Sequence, residues 1–369
     1  MSIPSFTLSR QIALLGPAIG DRLTEVMASG QFILGPVAAQ FETEIATVIG
    51  ARHAVGVANG SDALYLALLA LGIGPGDEVL TTPFTFFATA GSILRTGAKP
   101  VFTDIQLDTF NMDPDIALAR VTPRIRAMLP VHLFGLMTDM TALARGYAGP
   151  IVEDAAQAIG ASLYGHAAGT MGSLGCFSFF PTKNLGAFGD AGLVTSEDGA
   201  LAAKVRILRV HGASKKYFHD TLGINSRIDA VQAAILSVKL PYLAEWTKRR
   251  IAVAARYTKG LTQLGVSEIV CPITPEGFVH VFHQYTIRAS RRDALAAYLK
   301  EQGIGTTVYY PLSLHLQPVF KDLGYKAGDF PHSETAQETV LSLPMFPELL
   351  DSEVDQVVQA IAAFYGHRA

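Results

Sequence analysis

Lys183 follows an aromatic run, Cys176-Phe177-Ser178-Phe179-Phe180, and a Pro181-Thr182 turn, with glycines after it at Gly186, Gly189 and Gly192. An amine held between apolar walls loses solvation, and its pKa falls toward the range where the neutral form exists. A neutral amine condenses with an aldehyde to form a Schiff base. Upstream, the apolar run Pro150-Ile151-Val152 ends in two acids, Glu153 and Asp154. A carboxylate such as Asp154 can meet the pyridine nitrogen of a cofactor that takes up such a lysine. Ser178 can hold that cofactor's phosphate. The competing roles are a surface lysine and a helix-capping aspartate.

A second cluster lies at Asn59-Gly60-Ser61-Asp62, between the strand-like Ala54 to Ala58 and an apolar helix over 63–71. The first turn of a helix exposes free N–H groups and the positive end of its dipole, so a phosphate can sit there, with Gly60 permitting close approach. Ser61 can add a hydroxyl, or Ser61 or Asp62 can simply cap the helix. Pro83-Phe84-Thr85-Phe86-Phe87 brings aromatics to the same region. Phe84 or Phe86 can stack on a planar ring, and both can equally be core.

These residues need elements to position them. Apolar spacing predicts an arm and short helix over 1–36, a helix over 37–49, and then strands at 54–58, 78–82, 99–103, 127–131 and 150–152. Helices at 63–71, 86–96, 113 onward and 138–145 alternate with the strands. That alternation argues for a mostly parallel sheet covered on both faces. Ligands on such sheets lie at the carboxyl ends of strands, which places Gly60, the 82–87 turn, His132 and Asp154 on one rim. Further on come a strand at 193–195, helices over 198–210 and 227–240, and a polar loop over 211–225. Pro241 marks a boundary. A long helix over 246–264 then leads to a second α/β region with strands at 280–288 and 306–310 and helices at 291–302, 333–341 and 352–365. The expected division is a large domain over 1–245, including the arm, and a small one over 246–369.

Hydrophobic residues make up 49% and charged ones 17%, a balance of compact globular chains rather than disordered ones. The net charge of −3 without a basic block disfavours a nucleic-acid binder. Two cysteines, Cys176 and Cys271, make neither a disulfide framework nor a metal cluster, which fits a reducing cytoplasm. The amino-terminal stretch has no leader pattern, and no apolar run is long enough to span a bilayer.

At this point the chain resembles the DegT/DnrJ/EryC1/StrS family of sugar aminotransferases, within fold-type-I pyridoxal-phosphate enzymes. The resemblance runs over nearly the whole length, through FILGP (32–36), AVGVANGSDAL (54–64), TTPFTFFATA (81–90), PVHLFG (130–135), VEDAAQAIGA (152–161), FSFFPTKNLGAFGDAG (177–192), GINSRIDAVQAAIL (223–236), HVFHQYTIR (280–288) and VYYPLSLHLQ (308–317). It implies a large α/β/α domain around a mostly parallel mixed sheet, with a smaller C-terminal α/β domain. It also implies pyridoxal 5′-phosphate, with pyridoxamine 5′-phosphate as intermediate, and an active homodimer with shared sites.

By matching position, Lys183 takes the role of Schiff-base lysine and proton shuttle, and Asp154 partners the pyridinium nitrogen. Gln157 sits beside the ring and Phe86 stacks on it. Gly60, Ser61 and Ser178 hold the phosphate, joined by Asn225 from the neighbouring subunit. The reaction implied moves an amine from an amino acid, L-glutamate, to a nucleotide-linked keto sugar in amino-sugar and polysaccharide biosynthesis. The wording of VYYPLSLHLQ favours C3, with a 4-keto sugar as the alternative. His211, Lys215, Tyr309, Tyr310 and His315 are candidate substrate contacts, with solvated loop positions as the competing role. A dehydratase or a regulatory protein on the same scaffold are the readings from other classes. The dehydratase branch replaces the lysine, which is present here. Ser61 stands where many relatives have threonine, Asp190-Ala191 where they often have a further glycine, and Tyr309 where several have histidine.

Overall fold

The computed structural model describes residues 2–367. Met1 and Arg368-Ala369, the outermost residues of the two expected domains, lie outside that range. Seven strands form the central sheet: β1 (His53–Val57), β2 (Glu78–Thr81), β3 (Lys99–Phe102), β4 (Ile125–Met128), β5 (Val152–Asp154), β6 (Leu174–Ser178) and β7 (Gly192–Ser196). The order is β1-β7-β6-β5, continued by β4-β2-β3. Parallel bridges Met128 to Ile151 and Val131 to Asp154 join the two halves. Strand β7 pairs antiparallel with both β1 and β6, and the remaining pairs are parallel. The mostly parallel sheet expected from the alternation is therefore present, and β7 makes it mixed, as the resemblance implies.

Helix Gly60–Ala70 buries Ala63, Leu64, Leu66, Ala67, Leu68 and Ala70, apolar on nearly every side. Such a helix has no solvent face and must lie inside the layers. It packs on β6, β7 and helix Phe87–Arg95. The amino-terminal helix is longer than expected, Ser9–Ser29, and runs through Pro17. Leu15, Ile19 and Val26 are buried on it, and it packs along helix Ala230–Lys239, so tertiary burial carries it past the proline.

The second core gathers residues 253–362 around an antiparallel sheet of Ile269–Val270, Tyr285–Ala289 and Val340–Leu343. Ile3 of the arm packs into this core and bridges in parallel to Ile304, so the arm's tip sides with the second region rather than the first. Helix Leu243–Gln263 spans the two, reached from Ala230–Lys239 through a 3-10 turn, Leu240–Tyr242, at the expected proline boundary.

Further expectations change, and the helix expected over 333–341 ends at Thr339, where the strand Val340–Leu343 begins. Residues 306–310 form no strand, only a bridge between Thr307 and Ser342, because Pro311 cannot continue a ladder. The strand expected at 280–288 begins at Tyr285, since Phe282 takes a φ of 44° and bends the chain before it. The 211–225 loop contains a small hairpin, Ala213–Lys215 with Phe218–His219.

Candidate active site

A cavity of about 520 Å³ opens at the carboxyl ends of the strands. Gly60, Ser61, Phe86, Asp154, Gln157, Ser178, Lys183, Tyr309 and Tyr310 line it, so nine of the sequence-predicted residues meet in one place. Asn59, Thr85, Phe180, Thr182, Asp190, His283 and Gln284 also line it and were not predicted as site residues.

Lys183 sits on the turn after β6, its N–H donating to Phe180 O at 2.8 Å. The segment folds back so that Ala187 N–H meets Phe179 O at 2.8 Å. Gly186 is needed there, since a Cβ would lie 2.4 Å from Pro181 O. Desolvation lowers the amine's pKa from 10.5 to about 8, against the opposing field of Asp154.

Asp154 ends β5 and is 5% exposed. Burial raises its carboxyl, while Thr89 Oγ1 donating to Oδ2 at 2.8 Å pulls it back. Thr89 is in turn 2.9 Å from Thr85 Oγ1. The pair is spaced one helical turn apart in TTPFTFFATA, a signal available in the sequence. Behind Asp154, the Thr138 N–H donates to His132 Nδ1 at 3.1 Å. His132 therefore carries its proton on Nε2 and donates it to Glu153 Oε2 at 2.8 Å. Glu153 also accepts N–H groups from Gly169, Met171 and Gly172. His132, expected on the rim, is fully buried and anchors the end of the sheet instead.

Helix Gly60–Ala70 approaches β6 at Gly60, where a Cβ would lie 2.7 Å from Ser178 Cβ. Asn59, not Ser61 or Asp62, caps the helix, its Oδ1 accepting from Asp62 N–H at 2.8 Å. That leaves the Ser61 hydroxyl free at the helix N-terminus. Phe84 is fully buried, whereas Phe86 is 56% exposed at the cavity, which separates the core aromatic from the available one. Gln157 Oε1 accepts from Phe134 N–H at 2.6 Å, so its Nε2 donates to Tyr310 Oη at 3.1 Å. His283 is buried, and burial with the fields of Lys183 and Arg250 keeps its imidazole neutral.

The remaining candidates lie elsewhere. His315 is buried away from the cavity, with Nε2 3.1 Å from Glu334 Oε1 and its ring on Phe330. A buried, paired histidine is unavailable to a ligand from this position. His211, Lys215 and Asn225 are exposed on the 211–225 segment and do not line this chain's cavity.

The donor set fits pyridoxal phosphate. A desolvated amine and a buried carboxylate line the same cavity, a helix N-terminus with two hydroxyls offers a phosphate cradle that only glycine permits, and an exposed aromatic ring stands at the wall.

The family model described as the DegT/DnrJ/EryC1/StrS aminotransferase family matches residues 15–362. The chain is 54% identical, over all of both chains, to a protein of Geobacillus stearothermophilus named pleiotropic regulatory protein. It is 43% identical to a UDP-N-acetyl-3-dehydro-alpha-D-glucosamine 3-aminotransferase of Acidithiobacillus ferrooxidans, over 98% of this chain and 97% of that one. The crystal structure of DesV from S. venezuelae in complex with a ketimine intermediate superposes with a TM-score of 0.96, at 40% identity over all of both chains. The chain belongs to the DegT/DnrJ/EryC1/StrS aminotransferase family and is a pyridoxal-phosphate-dependent transaminase.

Proposed function

We propose that this transaminase moves the amino group of an amino acid, L-glutamate, to the C3 keto group of a nucleotide-linked sugar. The observation that carries the reading is the Lys183 amine sharing one cavity with buried Asp154, large enough for a sugar beside a cofactor. The choice of C3 rests on relatives named for 3-amino sugars. Bound pyridoxal phosphate supplies the electron sink for breaking the donor's C–H bond. Asp154 would pair with the ring nitrogen, Ser61, Ser178 and the helix N-terminus would bind the phosphate, and Phe86 would stand against the ring. Lys183 Nζ would take and return protons, its pKa brought down to about 8 by desolvation. Tyr309 and Tyr310 face the sugar.

Asn225 serves the phosphate of a neighbouring subunit's site in a homodimer, a reading supported by its exposure away from its own cavity. His211 and Lys215, on the same exposed segment, meet the nucleotide diphosphate across that interface. The free cysteines Cys176 and Cys271 support a cytoplasmic setting. Among the described residues no helix is long and apolar enough to cross a membrane.

The test supplies nitrogen-labelled glutamate with a panel of 3-keto and 4-keto nucleotide sugars and reads the products by mass. Label should appear in a 3-amino sugar and vanish in Lys183→Ala, a loss of at least about 10²-fold. Label in 4-amino sugars alone would move the reaction to the other carbon. No transfer to any sugar would favour the second reading, a cofactor-binding regulator, which the name of the 54% identical relative raises.

A further inference from the structure

The segment that carries Lys183 is gripped from below by one helix, Ala230–Lys239, at two points. Gln232 Oε1 accepts from Phe188 N–H at 2.9 Å, and Gln232 Nε2 donates to Phe188 O at 3.3 Å. At the helix's last residue, Lys239 Nζ donates to Gly186 O. Lys239 is 1% exposed. Its ammonium lies 5.4 Å from the Phe188 ring centroid and 5.9 Å from that of Trp246. A buried lysine without a directly bonded carboxylate is costly unless other groups offset its lost hydration. Here its charge is met by a carbonyl dipole and two aromatic faces.

We propose that Lys239 is a positioning residue: its buried ammonium clamps the Gly186 carbonyl and thereby fixes the turn that presents Lys183 to the cofactor. The clamp rests on Lys183 being the cofactor lysine.

The clamp depends on charge, because a neutral amine weakens both the bond to Gly186 O and the attraction to the rings. Desolvation brings the Lys239 amine down to about 8, with Glu348 opposing the shift. Several charged groups on the packed elements are engaged elsewhere. Arg10 of the first helix pairs with Glu353, and Glu42 of helix Gly35–Ile49 pairs with Arg209. Glu44 of the same helix accepts from Ser237 Oγ, and Arg250 of the long helix bonds the carbonyls of Phe282, His283 and Met345. On the gripped segment itself, Lys183 lies in the field of Asp154 and Asp190 lines the cavity. The positioning is therefore full below pH 8 and relaxes as pH rises through it.

Trp246 is the chain's single tryptophan, so its emission reports the amine beside it. In cofactor-free protein, indole emission should change in one step centred near pH 8, because a nearby ammonium quenches and a neutral amine does not. The step should persist in Lys183→Ala and disappear in Lys239→Met. In Lys239→Met, amide hydrogen exchange over 181–192 should quicken, and pyridoxal phosphate should leave roughly tenfold faster, the scale of one charged hydrogen bond. If Lys239→Met does not fold, Lys239→Gln, which keeps a donor but no charge, should lose the step and keep part of the loop's protection. A step that survives either Lys239 variant, a flat wild-type titration, or unchanged exchange over 181–192 overturns the clamp. Failure of labelled-amine transfer in wild type would instead defeat the functional reading and leave the clamp standing.

Discussion

Burial acts in opposite senses on Lys183 and Asp154, lowering the amine and raising the carboxyl, so each is driven toward neutrality until a ligand charge arrives. For the amine this fixes a pH dependence. Its pKa of about 8 lies below the usual 10.5, so the nucleophilic neutral fraction grows as pH rises through 8 and levels off well before 10.5. The rate of pyridoxal phosphate capture by cofactor-free enzyme, followed by absorbance, should trace that curve. A midpoint near 10 would show that the amine is not desolvated. For the carboxyl, the Thr89 bond is the largest influence favouring the charged form, ahead of the Ala156 N–H and the fields of Lys183 and His132. Thr89→Val keeps the shape and removes the donor, so Asp154 should titrate higher and cofactor affinity should fall about tenfold. An unchanged dissociation constant in a cofactor titration would remove Thr89 from the site.

At the scale of elements, the site depends on how closely helix Gly60–Ala70 can approach β6. The added methyl of Gly60→Ala meets Ser178 Cβ at 2.7 Å and backbone Cα at 3.2 Å, atoms that cannot swing away. The helix must withdraw, at a cost of about 1–3 kcal/mol for overpacking. Its N-terminus then leaves the Ser178 hydroxyl. The expected outcome is a folded enzyme with phosphate and pyridoxal phosphate affinity reduced at least tenfold, read by equilibrium dialysis against both ligands. Wild-type affinity would mean that the cradle is elsewhere. Asp154 has a comparable dependence on its element, since His132 and Glu153 lock the ends of β4 and β5 beneath it.

At the scale of the whole molecule, the proposed homodimer brings in a second chain. Asn225 and Lys183 lie in different parts of one chain, and only Lys183 lines its own cavity. Shared sites make a distinctive prediction: Lys183→Ala and Asn225→Ala, each impaired alone, should regain part of the activity when mixed and allowed to exchange subunits. One site of each mixed pair then receives both residues intact. Mixing that restores nothing, with exchange demonstrated by native mass spectrometry, would place Asn225 in a structural role only.

The spacing of apolar residues by itself determined the βαβ order, the strands that lead to Gly60 and Asp154, and the bridging helix after Pro241, because burial of one face per element is a local, periodic demand. The residue types around Lys183, Asp154 and Gly60-Ser61 named the chemistry, because a desolvated amine, a buried acid and a glycine at a helix start each have few uses. Only the tertiary structure decided the rest. It chose Phe86 over Phe84 as the exposed ring, made Asn59 the cap, withdrew His132 and His315 from the cavity, and brought in His283 and Gln284 by a bend at Phe282. It also set Lys239 against the turn that carries Lys183. Each of these depends on contacts between segments far apart in the chain, and no periodicity within one segment encodes which distant partner a side chain will meet.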